Sequence, residues 1–156
     1  MKKIVLAAAA VAAMAIAAPA FAESNVSVGY TSISDSGYNL GIINGRYGWT
    51  SGAFGVEGEV GIGAKSDSGV KLSSEFGVFG TAQVNAADNF VLFARAGYAQ
   101  ATAKGLGSSD SESGFAYGAG AQWFFDMNNG VRLEYTNYDL GSSSSTYGIS
   151  YVRKFK

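Results

Sequence analysis

Residues 115–138 read FAYGAGAQWFFDMNNGVRLEYTNY. Every second residue from Phe115 is apolar or aromatic: Phe115, Tyr117, Ala119, Ala121, Trp123 and Phe125. Between them stand Ala116, Gly118, Gly120, Gln122 and Phe124. Asp126-Met127-Asn128-Asn129-Gly130 interrupts the pattern, and alternation resumes with Val131, Leu133 and Tyr135 against Arg132, Glu134 and Thr136. Strand side chains change face with period two, so this is a hairpin with one greasy face and one face of glycine, amide and charge. A soluble barrel would turn the grease inward. Continuous apolar and aromatic positions set against Gly, Arg and Glu fit the reverse arrangement, grease outward and charge within, as in a barrel held in lipid.

The opening residues set the compartment. Met1-Lys2-Lys3 is a positive start, Ile4 to Ala18 is an apolar run, and Pro19-Ala20-Phe21-Ala22 supplies small residues two apart. This is the layout of a secretory signal peptide, residues 1–22, with cleavage expected after Ala22. The run is shorter than the ~18–20 residues a helical span needs. The mature chain, residues 23–156, forms one domain. Of 11 Lys and Arg, two lie in the signal, leaving nine against 12 Asp and Glu. That balance offers no basic patch for nucleic acid. With no Cys and no His there is no disulfide framework, and the commonest zinc and copper ligands are missing. The 22 glycines all follow residue 22, and the single proline is Pro19. Such usage suits a tightly curved sheet, in which proline would break ladders.

The same alternation recurs along the chain. Strand one covers Asn25 to Thr31. Strand two runs from about Tyr38 to Trp49, where the parity slips: Tyr38, Leu40 and Ile42 are apolar on one face, Ile43, Tyr47 and Trp49 on the other. A bulge near Ile42-Ile43 is the expected remedy. Strand three sets Phe54, Val56, Val60 and Ile62 against Glu57 and Glu59. Strand four, Val70 to Val84, carries Lys71 and Glu75 inward. Strand five begins at Phe90 and carries Arg95 inward. Lys104 to Gly114 is expected to be the longest loop. Strands six and seven are the opening hairpin, and strand eight runs from Thr146 to Phe155. No helical pattern separates any two strands, so parallel crossovers are excluded. The expected fold is all-β: an eight-stranded antiparallel up-and-down transmembrane β-barrel, closed because lipid tolerates no free edge.

If the mature N-terminus lies in the periplasm, the aromatics sort to the two ends of the strands. Trp49, Phe54, Phe90, Phe125 and Phe155 fall at one rim; Tyr30, Tyr38, Tyr98, Phe115, Tyr117 and Tyr147 fall at the other. Two interfacial girdles are expected from this sorting. The expected lumen charge network is Glu57, Glu59, Lys71, Glu75, Arg95, Arg132 and Glu134, centred on Glu134 with Arg95 or Arg132. An eight-stranded barrel is just wide enough for side chains to fill it. These charges therefore read as a polar plug in preference to a pore, paired because isolated buried charge is costly.

Catalysis finds little support. Glu57 and Glu59 share a strand face, but a filled lumen denies a substrate access to them. No histidine is present to activate a serine. Gly58 to Gly63 lies within a strand pattern and opens no helix, so it is not a phosphate loop. Asp110-Ser111-Glu112 reads as a solvated tip before a cation site. No cofactor is expected.

Gly55-Val56-Glu57-Gly58-Glu59, the run from Phe90 to Tyr98, Val131-Arg132-Leu133-Glu134-Tyr135 and Tyr147-Gly148-Ile149-Ser150-Tyr151 together resemble the small outer-membrane β-barrel family. That family includes the barrel of outer membrane protein A, outer membrane protein X, the attachment-and-invasion adhesins and the opacity-type, porin-like proteins. The resemblance implies a monomer in the outer membrane of a Gram-negative bacterium, with lipid as its main partner. It also implies recognition by the outer-membrane assembly machinery through the last strand, where Gly148, Tyr151 and Phe155 match the usual signal while Arg153 and Lys156 depart from it. Family roles are envelope structure or adhesion to host surface molecules through extracellular loops. Adhesin-type members tend to have longer, strand-extended loops, so the short loops expected here favour the envelope role. A narrow passive porin and a soluble lipocalin-like carrier are the remaining alternatives; the carrier would need an apolar interior.

Overall fold

The computed structural model describes residues 23–35, 38–65, 70–105 and 108–155. The expected signal peptide, residues 1–22, lies outside them. Eight strands form a closed antiparallel barrel in sequence order: β1 (Glu23–Asp35), β2 (Tyr38–Ser51), β3 (Phe54–Lys65), β4 (Val70–Ala87), β5 (Phe90–Gly105), β6 (Ser108–Phe124), β7 (Asn129–Asp139) and β8 (Ser143–Phe155). Closure comes from β1 against β8, which pair from Ser24↔Phe155 to Ser34↔Ser145. Glu23, Phe155 and the turns at Gly52, Asp88 and Phe125–Asn128 share one end, here called the lower end.

The sheet is inverted relative to a water-soluble barrel. Phe54 and Ile62 are 72% and 62% exposed on the outside, while Glu59 and Arg132 are 1% and 2% exposed inside. The hydrophobic effect does not drive that arrangement in water; it is favourable where hydrocarbon is the surrounding medium. The turns follow local chemistry. Gly141 closes β7–β8 at φ +86°, a conformation that glycine adopts without a Cβ clash. At the lower end, Asp126 accepts hydrogen bonds from the side chain of Asn129 and from the backbone N–H groups of Asn128 and Asn129. Those donors hold its carboxyl below the ordinary value.

Two expectations need correction. The irregularity expected near Ile42-Ile43 is present, but it does not bring both isoleucines to the outer face. The register shifts opposite Gly41/Ile42, and the extra residue is on β3, where Ala64 is passed over between Gly63 and Lys65. Ile42 therefore points inward at 2% exposure, and Ile43 points outward at 48%. Second, most of Lys104 to Gly114 is strand. β5 continues to Gly105, and β6 resumes at Ser108 and pairs with it. The register also shifts in β4, between Leu72 and Ser74.

Strand lengths are uneven. β7 has 11 residues, while β4, β5 and β6 have 18, 16 and 17. A strand crosses a bilayer in about 9–11 residues. The surplus is at the upper end: β6 pairs with β7 only from Phe115↔Asp139 onward, whereas β5 and β6 stay paired out to Gly105↔Ser108. β5 and β6 thus project beyond β7 as a tongue.

Candidate functional site

The inward faces of β2, β3, β5 and β7 converge on a layer of six charges. Arg95 Nη1 donates to Glu57 Oε1 and to Glu59 Oε2, each at 2.9 Å. Glu59 accepts from Arg46 Nε, and Arg46 Nη2 donates to Glu134 Oε1. Glu134 Oε2 accepts from Arg132 Nε at 2.8 Å. Arg132 Nη1 and Nη2 then return to Glu57 at 2.5 and 3.1 Å. The result is a closed cycle, Glu57–Arg95–Glu59–Arg46–Glu134–Arg132, with alternating sign and no net charge. A guanidinium offers five donors in a planar fork, so each arginine can bridge two carboxylates at once.

The donors left over are also used. Arg95 Nε and Nη2 donate to Thr136 Oγ1 at 3.2 and 2.9 Å, and Arg46 Nη1 to Ser150 Oγ at 2.9 Å. Tyr138 donates to Glu59 Oε1 at 2.9 Å. Aromatic rings cover the cycle: Arg95 stacks over Phe79 and Arg132 over Phe93, each 4.1 Å from the ring centroid. Such stacking suits the weakly hydrated guanidinium. Phe79, Ala99, Ala116 and Tyr138 form an apolar layer above, and Val91, Phe124 and Val152 form one below. Buried charge repays its desolvation only when it is fully paired, and this layer meets that condition among the described residues.

Little space remains. A gap of about 10 Å³ bordered by Glu57, Gln122 and Arg132 is at the lower limit for one water molecule. Below the Phe124 layer the barrel opens into a recess of about 560 Å³ lined by Glu23, Gln83, Asp88 and Lys154.

Of the residues expected inside, Glu57, Glu59, Arg95, Arg132 and Glu134 stand in the cycle. Glu75 is buried at 7% exposure but forms no ion pair with the three arginines. The side chain of Lys71 lies outside the described residues. Arg46 was not anticipated, although it is the hub between Glu59 and Glu134. Its signal was available: Arg46 falls between Ile43 and Tyr47, both outward, on the opposite parity to each.

On the outside, Phe54, Phe125 and Phe155 are exposed near the lower end, with Trp49 and Phe90 half-buried beside them. Tyr30, Phe115, Tyr117 and Tyr147 are exposed toward the upper end; Tyr98 is half-buried there, and the side chain of Tyr38 is outside the described residues. Trp123 pairs with Phe125 at 6.3 Å and Tyr135 with Tyr147 at 5.2 Å between centroids. Asp110 and Glu112 are exposed on β6, and no group of three or more acids set to hold a metal ion occurs among the described residues.

Residues 4–155 match the family described as the outer membrane protein beta-barrel domain. No curated protein matches the chain in sequence. Among solved structures, the attachment invasion locus protein Ail of Yersinia pestis, crystallised with the heparin analogue sucrose octasulfate, is 21% identical; the match covers 86% of this chain and 99% of that one, with a TM-score of 0.64. The N-terminal β-barrel domain of Pseudomonas aeruginosa OprF is 13% identical, with 85% and 97% covered and a TM-score of 0.72. Neisserial surface protein A is 13% identical, with 86% and 96% covered and a TM-score of 0.66. At these identities the likeness is one of fold.

Proposed function

We propose, because the chain belongs to the outer membrane protein beta-barrel domain family, that it is a closed envelope barrel in the outer membrane of a Gram-negative bacterium. On this reading residues 1–22 direct export and are removed. The last strand, with Tyr151 and Phe155 outward, engages the assembly machinery, and the mature monomer strengthens the membrane without conducting. One observation carries the proposal: a neutral cycle of buried charge fills the lumen while the outer face is apolar. Lipid then takes the place that a soluble protein gives to its core, and the girdle residues sit at the two interfaces.

The test is direct. The chain should fractionate with outer membranes and migrate faster on gels unheated than boiled. Reconstituted in a planar bilayer, it should give no discrete conductance steps. Recovery from the soluble periplasm would remove the barrel-in-lipid reading, and regular channel openings would replace the plug with a narrow porin.

A second reading is supported by the projecting tongue. With β5 and β6 extended past β7, the chain has the strand-extended outer hairpin that resemblance assigns to adhesin-type members, and contact with host surfaces would run through it. The sulfated ligand of the Yersinia protein is a polyanion. The described acidic side chains of this tongue, Asp110 and Glu112, do not suit a polyanion. Deleting residues 104–114 should abolish cell binding while gel mobility is kept.

A further inference from the structure

The outer face of β8 carries a cation between two aromatic residues of the lower half. Tyr151, Arg153 and Phe155 alternate outward, and all three are exposed. Val152 and Lys154 take the other face: Val152 is buried in the apolar layer below the charge cycle, and Lys154 lines the lower recess. Arg46, Arg95 and Arg132 are spent in the cycle. Among the described Lys and Arg side chains, Arg153 alone stands on the lipid-facing side of the sheet.

The protein supplies no close counter-ion there. Arg153 forms no ion pair among the described residues. Across the two ladders stand Val26 on β1 and Asn129 on β7. Valine has no side-chain acceptor, and the side-chain oxygen of Asn129 accepts from the Tyr151 hydroxyl. The Phe125–Asn128 turn is docked against β8 by bonds between Asn128 and the Lys154 main chain. The acid of that turn, Asp126, already takes the backbone N–H groups of Asn128 and Asn129 and the Asn129 amide. The guanidinium turns toward the rim instead: Cζ of Arg153 lies 5.6 Å from the centroid of the Phe155 ring. Phe155 is two residues, about 7 Å of strand, nearer the lower end. The aliphatic stem thus follows the apolar surface while the charged head reaches the level of the girdle, as a snorkelling side chain does.

An outward cation is tolerated at a membrane interface and costly at the midplane. At the girdle, the anion that lipid itself offers is the phosphodiester of a headgroup. A guanidinium suits it, because the planar fork donates to two phosphate oxygens at once. We propose that Arg153 holds the phosphate of a glycerophospholipid in the leaflet at the lower end, with the Phe155 ring beside the guanidinium and Tyr151 against the acyl chains above. The contact fixes one headgroup where β8 closes on β1. This rests on the envelope reading above and names one lipid contact within it.

The test uses the full mature chain in dodecyl maltoside micelles, which contain no phosphate. Native mass spectrometry should find dioleoylphosphatidylglycerol retained on the native chain. Arg153→Met should weaken that retention about tenfold or more, as expected for the loss of a charge-assisted hydrogen-bonded contact. Methionine suits a lipid-facing site, so the variant should keep its unheated gel mobility. Galactosyl dioleoylglycerol, with the same chains and no phosphate, should bind the native chain and the variant alike and weakly. In nitrogen-15 spectra the Arg153 Nε–H signal should move as phosphatidylglycerol is added and stay still with inorganic phosphate at the same concentration. Equal retention by Arg153→Met, or equal retention of the galactolipid by the native chain, would overturn the proposal. A matching shift with inorganic phosphate would overturn it too, since the lipid would then be incidental to an anion site. Fractionation with outer membranes without any preference for the phospholipid would remove the Arg153 contact and leave the envelope reading standing; recovery from the soluble periplasm would end both.

Discussion

Replacing Arg132 by Met should cost about 3–5 kcal/mol of barrel stability, the range for removing one member of a buried ion pair. The side chain is 2% exposed and closes the charge cycle by joining Glu57 to Glu134. Methionine fills similar space over Phe93 but leaves two carboxylates each short of a cation in a lumen without room to hydrate them. Urea unfolding from phospholipid vesicles measures the loss. The companion variant Glu57→Gln, Arg132→Met discriminates pairing from packing. It leaves Arg95, Glu59, Arg46 and Glu134 as a neutral chain, so it should recover part of the stability and the two substitutions should not add. Additive losses, or a loss below about 1 kcal/mol for Arg132→Met alone, would mean that the cycle is not what holds the lumen.

Replacing Val60 by Arg should cost about 2–4 kcal/mol in vesicles, the penalty for a cation on the lipid face near the midplane. Val60 is 58% exposed and neighbours Glu59, which faces the central charge layer. If that face met water, as in a lipocalin-like carrier, the same change would fall within about 0.5 kcal/mol. The experiment therefore asks which medium surrounds the sheet, independently of fractionation. A silent Val60→Arg would sink the membrane reading even with the closed barrel intact.

How far the fold could be read from sequence depended on contrast between the two faces. In β7, Val131, Leu133 and Tyr135 against Arg132, Glu134 and Thr136 leave no doubt about which side each residue takes, and β3 is as clear. In β2 the contrast fails, because Ile42 lies inside a largely polar lumen and interrupts the parity that would have carried Arg46 inward. That single apolar residue hid the hub of the cycle. The tongue was hidden for the opposite reason. Beyond the rim water reaches both faces, so Ser109 to Ser113 has no alternation to betray a strand and resembles a loop. The closure of six charges into one cycle is invisible to any pattern along the chain, since it depends on how far each side chain reaches across the lumen.

The charge cycle also divides between the halves of the polypeptide. Arg46, Glu57 and Glu59 come from β2 and β3 and carry one excess negative charge. Arg95, Arg132 and Glu134 come from β5 and β7 and carry one excess positive charge. Either half entering hydrocarbon first would bring unbalanced members of the cycle with it, whereas in the finished cylinder these six charges balance. Insertion should therefore be concerted: in refolding onto brominated lipid, single-tryptophan chains reporting from Trp49 in the first half and Trp123 in the second should quench on one shared time course.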